Sequence, residues 1–193
     1  LPISTLTWIG KDKVVNHHHD VPYRVLEHKY GFRAEDDGDR TLTNSGNKII
    51  HGDNLEALKS LLPEYEGRVK CIYIDPPYNT GKDFIFNDTF ALSQEESDEK
   101  QGRYNEEGQR LFQNTEANGK FHSDWCSMMY ARLMLAHTLL NDNGIIFISI
   151  DDHELANLIK IGNEVFNASN FIDVFNWAKT ETPENLSKKS KQI

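Results

Sequence analysis

Asp75, Pro76, Pro77 and Tyr78 put a carboxylate, two rigid rings and a phenol in four consecutive positions. The run before them, Val69 to Ile74, is rich in strand-forming types and predicts a buried strand that stops at Asp75. Neither proline can donate to a sheet ladder, so the strand ends there. Each proline also pushes its predecessor into an extended conformation, which fixes the directions of the main-chain carbonyls. A carboxylate, a stiff carbonyl and an aromatic face would then share the carboxyl end of one strand. Ligands bind at that end of open α/β sheets. Acceptors held in place before a ligand arrives can stabilise developing charge without reorganising. The same residues also suit a plain Pro-Pro turn capped by Asp75. The apolar strand before them, and Asn79-Thr80-Gly81 after them, favour the ligand corner.

The elements that must position this corner follow from periodicity. Lys48 to Asp53 reads as a short strand ending in Gly-Asp. Asn54 to Leu62 reads as a helix, with Leu55, Leu58, Leu61 and Leu62 at helical spacing and Asp53 or Asn54 as its N-cap. Pro63 and Gly67 close it, and the Asp75 strand follows. Strand, helix, strand predicts a βαβ unit with parallel pairing and a right-handed crossover. Asp53 is then expected at a strand end beside Asp75. Residues 83–121 are polar and acidic, and read as a lid, a substrate loop or a solvated insertion. In this segment Phe84, Phe86 and Phe90 are expected to pack, and Ser93 to Gln109 to be weakly ordered without DNA, as either a solvated insertion or a functional loop.

Ser123 to Leu140 predicts the strongest helix, with Ser123 or Asp124 as cap and a broad apolar face. Asn141 to Gly144 should end it through a left-handed glycine. Ile145 to Ile150 reads as a strand buried on both faces. Asp151-Asp152-His153-Glu154 invites a metal reading, but neighbouring carboxylates converge poorly from one strand end. Capping the helix Glu154 to Phe166 and touching the sheet edge is preferred, and no metal site is assigned. Phe171 to Trp177 begins a third strand-like run.

The chain has 193 residues, enough for one sizeable domain, and its hydrophobic and charged fractions of 38% and 26% are those of a soluble protein. No transmembrane run or signal-peptide pattern is present. Two cysteines, Cys71 and Cys126, make no disulfide framework and fit a reducing, cytoplasmic setting. Leu1 is not an initiator, so the chain is expected to be part of something longer. Asp36 to Asp39 marks a surface turn, and Val21 to Leu26 is expected to dock as an extended arm. The triplet His17-His18-His19 is a weak metal signal by itself. A net charge of −9, from 21 basic and 30 acidic residues, is unlike a DNA-binding surface. No Cys-x-x-Cys pair, phosphate-binding glycine loop or dinucleotide fingerprint occurs.

Asp75-Pro76-Pro77-Tyr78 resembles the catalytic motif of the DNA amino-methyltransferases, which transfer a methyl group from S-adenosylmethionine to an exocyclic base amine. The adenine N6 amine is a poor nucleophile because its lone pair is delocalised into the ring. On that resemblance Asp75 would accept one amine hydrogen and the Pro76 carbonyl the other, favouring a pyramidal nitrogen. Positioning adds a proximity effect. Pro77 stiffens the turn, and Tyr78 would stack on a base flipped out of the duplex. The resemblance also places Asp53 and Asn79 at the cofactor, with Asp53 accepting from its adenine amine.

Further segments stand in order: Ile50 to Leu58, Tyr73 to Gly81, Trp125 to Leu133, Ile148 to Glu154, Glu164 to Phe166 and Asn170-Phe171. Together with Asn16 to Arg24, the series looks like the modification subunit of type III restriction–modification systems and its adenine-methyltransferase relatives. That implies a Rossmann-like S-adenosylmethionine-dependent methyltransferase fold, present in part, as a mostly parallel sheet with flanking helices. In the family's permuted order a catalytic half comes first, target recognition follows, and a glycine-rich cofactor motif comes last. Residues 1–45 would be an N-terminal arm, 46–180 the catalytic portion, and 181–193 the start of target recognition or a linker. The resemblance implies double-stranded DNA as substrate, a restriction (helicase/nuclease) subunit as partner and a homodimer in the full-length form. Rivals are N4-cytosine methylation on the same geometry, protein-glutamine methylation, and a non-catalytic DNA-binding or assembly module. Asp rather than Ser at position 75 favours adenine by family analogy. No Phe-x-Gly-x-Gly segment is present. The 193-residue chain by itself should therefore bind S-adenosylmethionine weakly or not at all, and tight binding in a calorimetric titration would contradict this.

Overall fold

The computed structural model describes residues 5–31, 46–81, 84–86, 103–104, 110–115, 117 and 119–177. The expected turn at Asp36 to Asp39, Phe90, most of Ser93 to Gln109 and the tail from Glu181 lie outside them. Two short helical turns, α1 (Lys11–Val14) and α2 (His17–Asp20), precede α3 (Asn54–Tyr65) and β1 (Val69–Ile74). Then come β2 (Phe84–Phe86), β3 (Arg103–Tyr104), β4 (Arg110–Gln113), α4 (Phe121–Leu139), β5 (Leu140–Ile148), α5 (Leu155–Phe166) and a 3-10 turn, Ala168–Asn170.

β1 and β5 pair in parallel, with Ile72 opposite Ile146 and Ile74 opposite Ile148. The parallel βαβ unit thus exists, but it joins β1 to β5 with α4 in the connection. The expected partner strand at Lys48 is not one: residues 46–51 are irregular, and Ile49 is fully exposed. Without a ladder neighbour its two isoleucines have no pleated surface to join. Val69, Ile74, Ile146 and Ile148 pack on the helical core. On the opposite face Cys71 is exposed, Tyr73 is 67% exposed and its cross-strand partner Phe147 42%. β5 was expected to be buried on both faces; among the described residues only one is covered. Phe171 to Trp177 likewise joins no ladder and is exposed.

The segment expected to be a lid or loop carries a three-stranded antiparallel sheet in the order β2-β4-β3. Ile85 is fully buried and seats β2 in the core.

α4 is the centre of the molecule. Trp125, Met128, Met129, Ala131, Leu133, Leu135 and Leu139 are all buried, and so are Asp124, Ser127 and Arg132. A helix hidden on every side needs neighbours all round. α3 and α5 pack against it, and the N-terminal turns add further cover. Trp8 Nε1 donates to Ser127 Oγ at 2.8 Å, and Val14 and Val21 are buried in the same cluster. Lys11 lies over the Trp8 ring and pairs with Glu164 at 2.7 Å. The extended arm at Val21 to Leu26 docks as expected. Arg24 N donates to Ser60 Oγ at 2.7 Å, and its guanidinium holds both oxygens of Glu56. Lys59, buried, donates to the His18 carbonyl at the end of α2 at 2.8 Å. His18 is buried too, which lowers its pKa.

The helix ends differ in part from expectation. Asp53 does cap α3, accepting from Glu56 N at 2.9 Å. Pro63 sits inside α3, which runs on to Tyr65; Gly67, with φ 63°, then turns the chain into β1. α4 begins at Phe121, ahead of both expected caps, with Lys120 as N-cap and no side-chain cap; Ser123 lies inside the helix, where its Oγ accepts from Ile9 N. Gly144 is not left-handed. β5 starts directly at Leu140, and two steps along β1 face five along β5 between Val69↔Leu140 and Cys71↔Ile145. That excess bends the strand back on itself. A Cβ on Gly144 would lie 2.6 Å from Leu140 Cγ and 3.0 Å from the Asn141 carbonyl oxygen. Gly144→Ala should therefore lower stability by about 1–3 kcal/mol, as overpacking does, and a midpoint of thermal unfolding equal to wild type would refute the tight approach.

Candidate active site

β1 delivers an exposed Asp75 directly above a buried Pro76. Tyr78 turns back over the corner, and its hydroxyl donates to Asp75 Oδ1 at 2.9 Å. That bond, with burial second, raises the Tyr78 pKa above the ordinary phenol value. The Ser149 hydroxyl, which hydrogen-bonds Tyr73 at the ends of β1 and β5, acts on Tyr78 in the opposite direction. The backbone of Ser149 also donates to the Ile74 carbonyl at 2.9 Å, which carries the parallel ladder up to the corner.

The corner is clamped from below. Trp125, wholly buried in α4, donates its indole N–H to the Pro77 carbonyl at 2.8 Å. The carbonyl that α4 takes is Pro77's, not the Pro76 carbonyl to which the family resemblance gives a substrate amine. Asn79 follows with φ 61°. That left-handed conformation costs a non-glycine residue roughly 1–2 kcal/mol, and asparagine adopts it more readily than most.

The Asn79 side chain is wholly buried beneath the turn. Its Nδ2 donates to Glu154 Oε1 at 2.5 Å, and its Oδ1 accepts from Asn114 Nδ2 at 2.8 Å. Asn114 also donates to the Phe121 carbonyl at 2.6 Å, at the start of α4. Glu154 is equally buried and meets two further donors, His122 Nδ1 at 2.6 Å and Asn157 Nδ2 at 2.8 Å. A carboxylate with no donors in such a place would be strongly unfavourable; here both oxygens are engaged. Burial, with the Glu154 charge second, pushes the nearby Cys126 thiol up to about 12.

Of the residues singled out by sequence, Asp75, Pro76, Pro77 and Tyr78 form one corner, with Asp75 and Tyr78 in contact. Asp53 sits at the N-cap of α3, after an irregular segment rather than a strand. Asn79 adjoins the corner with its side-chain amide engaged inside, so only its main chain is left to face a ligand. Asp151 binds the backbone and ring of its neighbour His153 at 3.0 Å each, while Glu154 turns into the interior. The two carboxylates diverge, and Glu154 starts α5 without capping it through its side chain. Trp125, Asn114, His122 and Glu154 went unrecognised as parts of the site. The one available signal was a non-glycine residue, Asn79, in a tight post-proline turn, which points to a buried partner without naming it.

A parallel strand pair with a proline-stiffened, acidic and aromatic corner at its carboxyl end is an α/β arrangement with a candidate ligand site. Residues 69–192 match the DNA methylase family, and the chain belongs to that family. It is 44% identical over 144 residues to the type III restriction-modification enzyme EcoPI Mod subunit of Escherichia phage P1, covering 74% of this chain and 22% of that protein. It is 40% identical over 147 residues to the EcoP15I Mod subunit of Escherichia coli, covering 75% and 23%. Similarity extends to the type II methyltransferase M.KpnI of Klebsiella pneumoniae, at 34% over 131 residues, covering 68% and 26%. The resemblance to type III modification subunits is thereby borne out. The chain spans about a quarter or less of the length of these curated relatives.

The Asp75–Tyr78 bond can be measured directly. Tyr78 should ionise above the usual phenol range, and Asp75→Asn should bring its titration down. Ultraviolet difference titration against Tyr78→Phe isolates the signal; an unchanged titration in Asp75→Asn would show that the two side chains do not interact in solution.

Proposed function

We propose that the chain is the catalytic half of a DNA methyltransferase that methylates N6 of a flipped-out adenine within a restriction–modification system. The observation that carries this is the Asp75–Tyr78 contact at 2.9 Å, on a corner whose next carbonyl is anchored by Trp125. Tyr78 is held through its hydroxyl, at the ring edge, a contact that uses neither ring face. Asp75 uses Oδ1 for Tyr78, which leaves Oδ2 to accept from an amine hydrogen. The Pro76 carbonyl accepts the second hydrogen, and the amine lone pair is thereby directed. Two fixed acceptors favour the pyramidal nitrogen before any methyl group moves. The proton lost afterwards leaves to solvent beside the exposed Asp75.

S-adenosylmethionine, when bound, supplies an electrophilic methyl group. Asp53 at the start of α3 and the main chain of Asn79 would hold it. The fit rests on the α3 N-terminus: Asp53 caps the helix through Oδ1, and a carboxylate can cap and accept from a ligand amine together. The parallel β1–β5 pair and the helices packed on its inner face support a Rossmann-like methyltransferase fold, of which this is part. Residues 1–45 act as an arm, 46–180 as the catalytic portion and 181–193 as the start of target recognition or a linker. Double-stranded DNA is the substrate, with a restriction subunit as partner, a homodimeric full-length form and a cytoplasmic location. Among the described residues, no helix is long and apolar enough to cross a membrane.

In the full-length protein, Asp75→Ala should reduce methyl transfer roughly 100- to 1000-fold, the range seen when one preorganised electrostatic contact is lost. Tyr78→Ala should weaken productive DNA binding by about 1–3 kcal/mol, the contribution of one stacked base. Radiolabelled methyl transfer measures both, and activity retained in Asp75→Ala refutes the assignment. Mass spectrometry of the modified nucleoside separates N6-adenine from N4-cytosine.

A further inference from the structure

Glu154 lies far from Asp75 in sequence, follows β5 at the same carboxyl end of the parallel pair, and is fully buried. Its Oε1 takes the Asn79 amide, and Asn79 is the residue whose left-handed turn fixes where the corner points. We propose that Glu154 is a positioning residue for methyl transfer: through the Asn79 amide it sets the directions of the Asp75 carboxylate and the Pro76 carbonyl. This rests on the function proposed above. His122 and Asn157 steady Glu154 from either side, and Asn114 holds the other end of the Asn79 amide. The corner is thus fixed to the start of α4 and the start of α5 together.

The chemistry calls for a carboxylate. Asn79 and His122 both approach Oε1, and Asn157 approaches Oε2. In Glu154→Gln one oxygen becomes an N–H donor of nearly the same size. In either orientation of that amide, at least one donor then faces another. The double variant Glu154→Gln/Asn79→Asp reverses the polarity of the bond and keeps the summed charge. The retained oxygen at position 79 still receives the Asn114 N–H, the new oxygen receives the amide at position 154, and the ring of His122 can switch tautomer to accept.

Steady-state methylation by the full-length protein tests this, alongside crystal structures of wild type and Glu154→Gln. Glu154→Gln should lower kcat roughly 100-fold, as a misplacement of about 1 Å can, with the KM for DNA unchanged. The double variant should recover most of kcat. In the crystal structure of Glu154→Gln, Asn79 should leave the left-handed region. Wild-type kcat in Glu154→Gln, a double variant no better than the single, or an unmoved Asn79 would each overturn the proposal. If Glu154→Gln does not fold, Asn79→Gly carries the test, because glycine keeps the turn while losing the amide. A comparable fall in kcat supports the proposal, and wild-type kcat overturns it. If wild type transfers no methyl group, the function proposed above fails, and the position of Asn79 in Glu154→Gln alone decides.

Discussion

Asn79 holds a left-handed backbone turn that buried hydrogen bonds keep in place, and the orientation of the corner follows from it. Its amide is gripped at both ends, by Glu154 on one side and Asn114 on the other. Polar groups satisfied inside a protein specify one arrangement strongly, because any alternative leaves donors or acceptors without partners. The prolines stiffen the chain before the turn, and the Trp125 indole pins the carbonyl between them and Asn79. The exposed Asp75 carboxylate and the half-buried Tyr78 ring therefore stand on a foundation that is dry. An exposed side chain needs such a foundation to keep one direction, since its own contacts are too few to hold it still.

That foundation depends on α4. The helix supplies Trp125 to the corner and contacts α3, α5 and the N-terminal turns. Arg132, also in α4, donates to Asn54 Oδ1 at 2.8 Å, so the first residue of α3 is tied to the same element. The N-terminal segment seals the outer side of α4 with Trp8, Val14 and Val21. Loss of that cover would expose apolar area, leave Ser127 without Trp8 and leave Glu164 without Lys11. A segment with no chemistry of its own thus contributes to the rigidity of the corner.

Much of this was legible in the sequence. The strand stop at Asp75, the Asp53 cap, the α4 and α5 helices and the docked arm all follow from local rules of propensity, proline geometry and capping. What escaped was non-local. Nothing near Lys48 shows that its isoleucines lack a strand to pair with, because pairing is decided by distant residues. The glycine at 144 suggested a left-handed cap; what requires glycine there is the return of Leu140 across its own strand. Glu154 resembled a helix cap because sequence shows that a carboxylate precedes a helix, not which way it points. Its partners, at positions 79, 122 and 157, become neighbours only once the strands are laid side by side.

Trp125 gives the corner an optical property as well. Its indole is sealed from water and bonded to the turn, whereas Trp177 is 89% exposed. The first should emit towards the blue and the second towards the red, so with the half-buried Trp8 replaced by phenylalanine the two can be told apart spectroscopically. Any loosening of the Pro77 carbonyl would change the polarity around the buried indole before it changed the overall fold. The emission of Trp125 is thus a built-in gauge of corner integrity, readable without attached dyes or substrate.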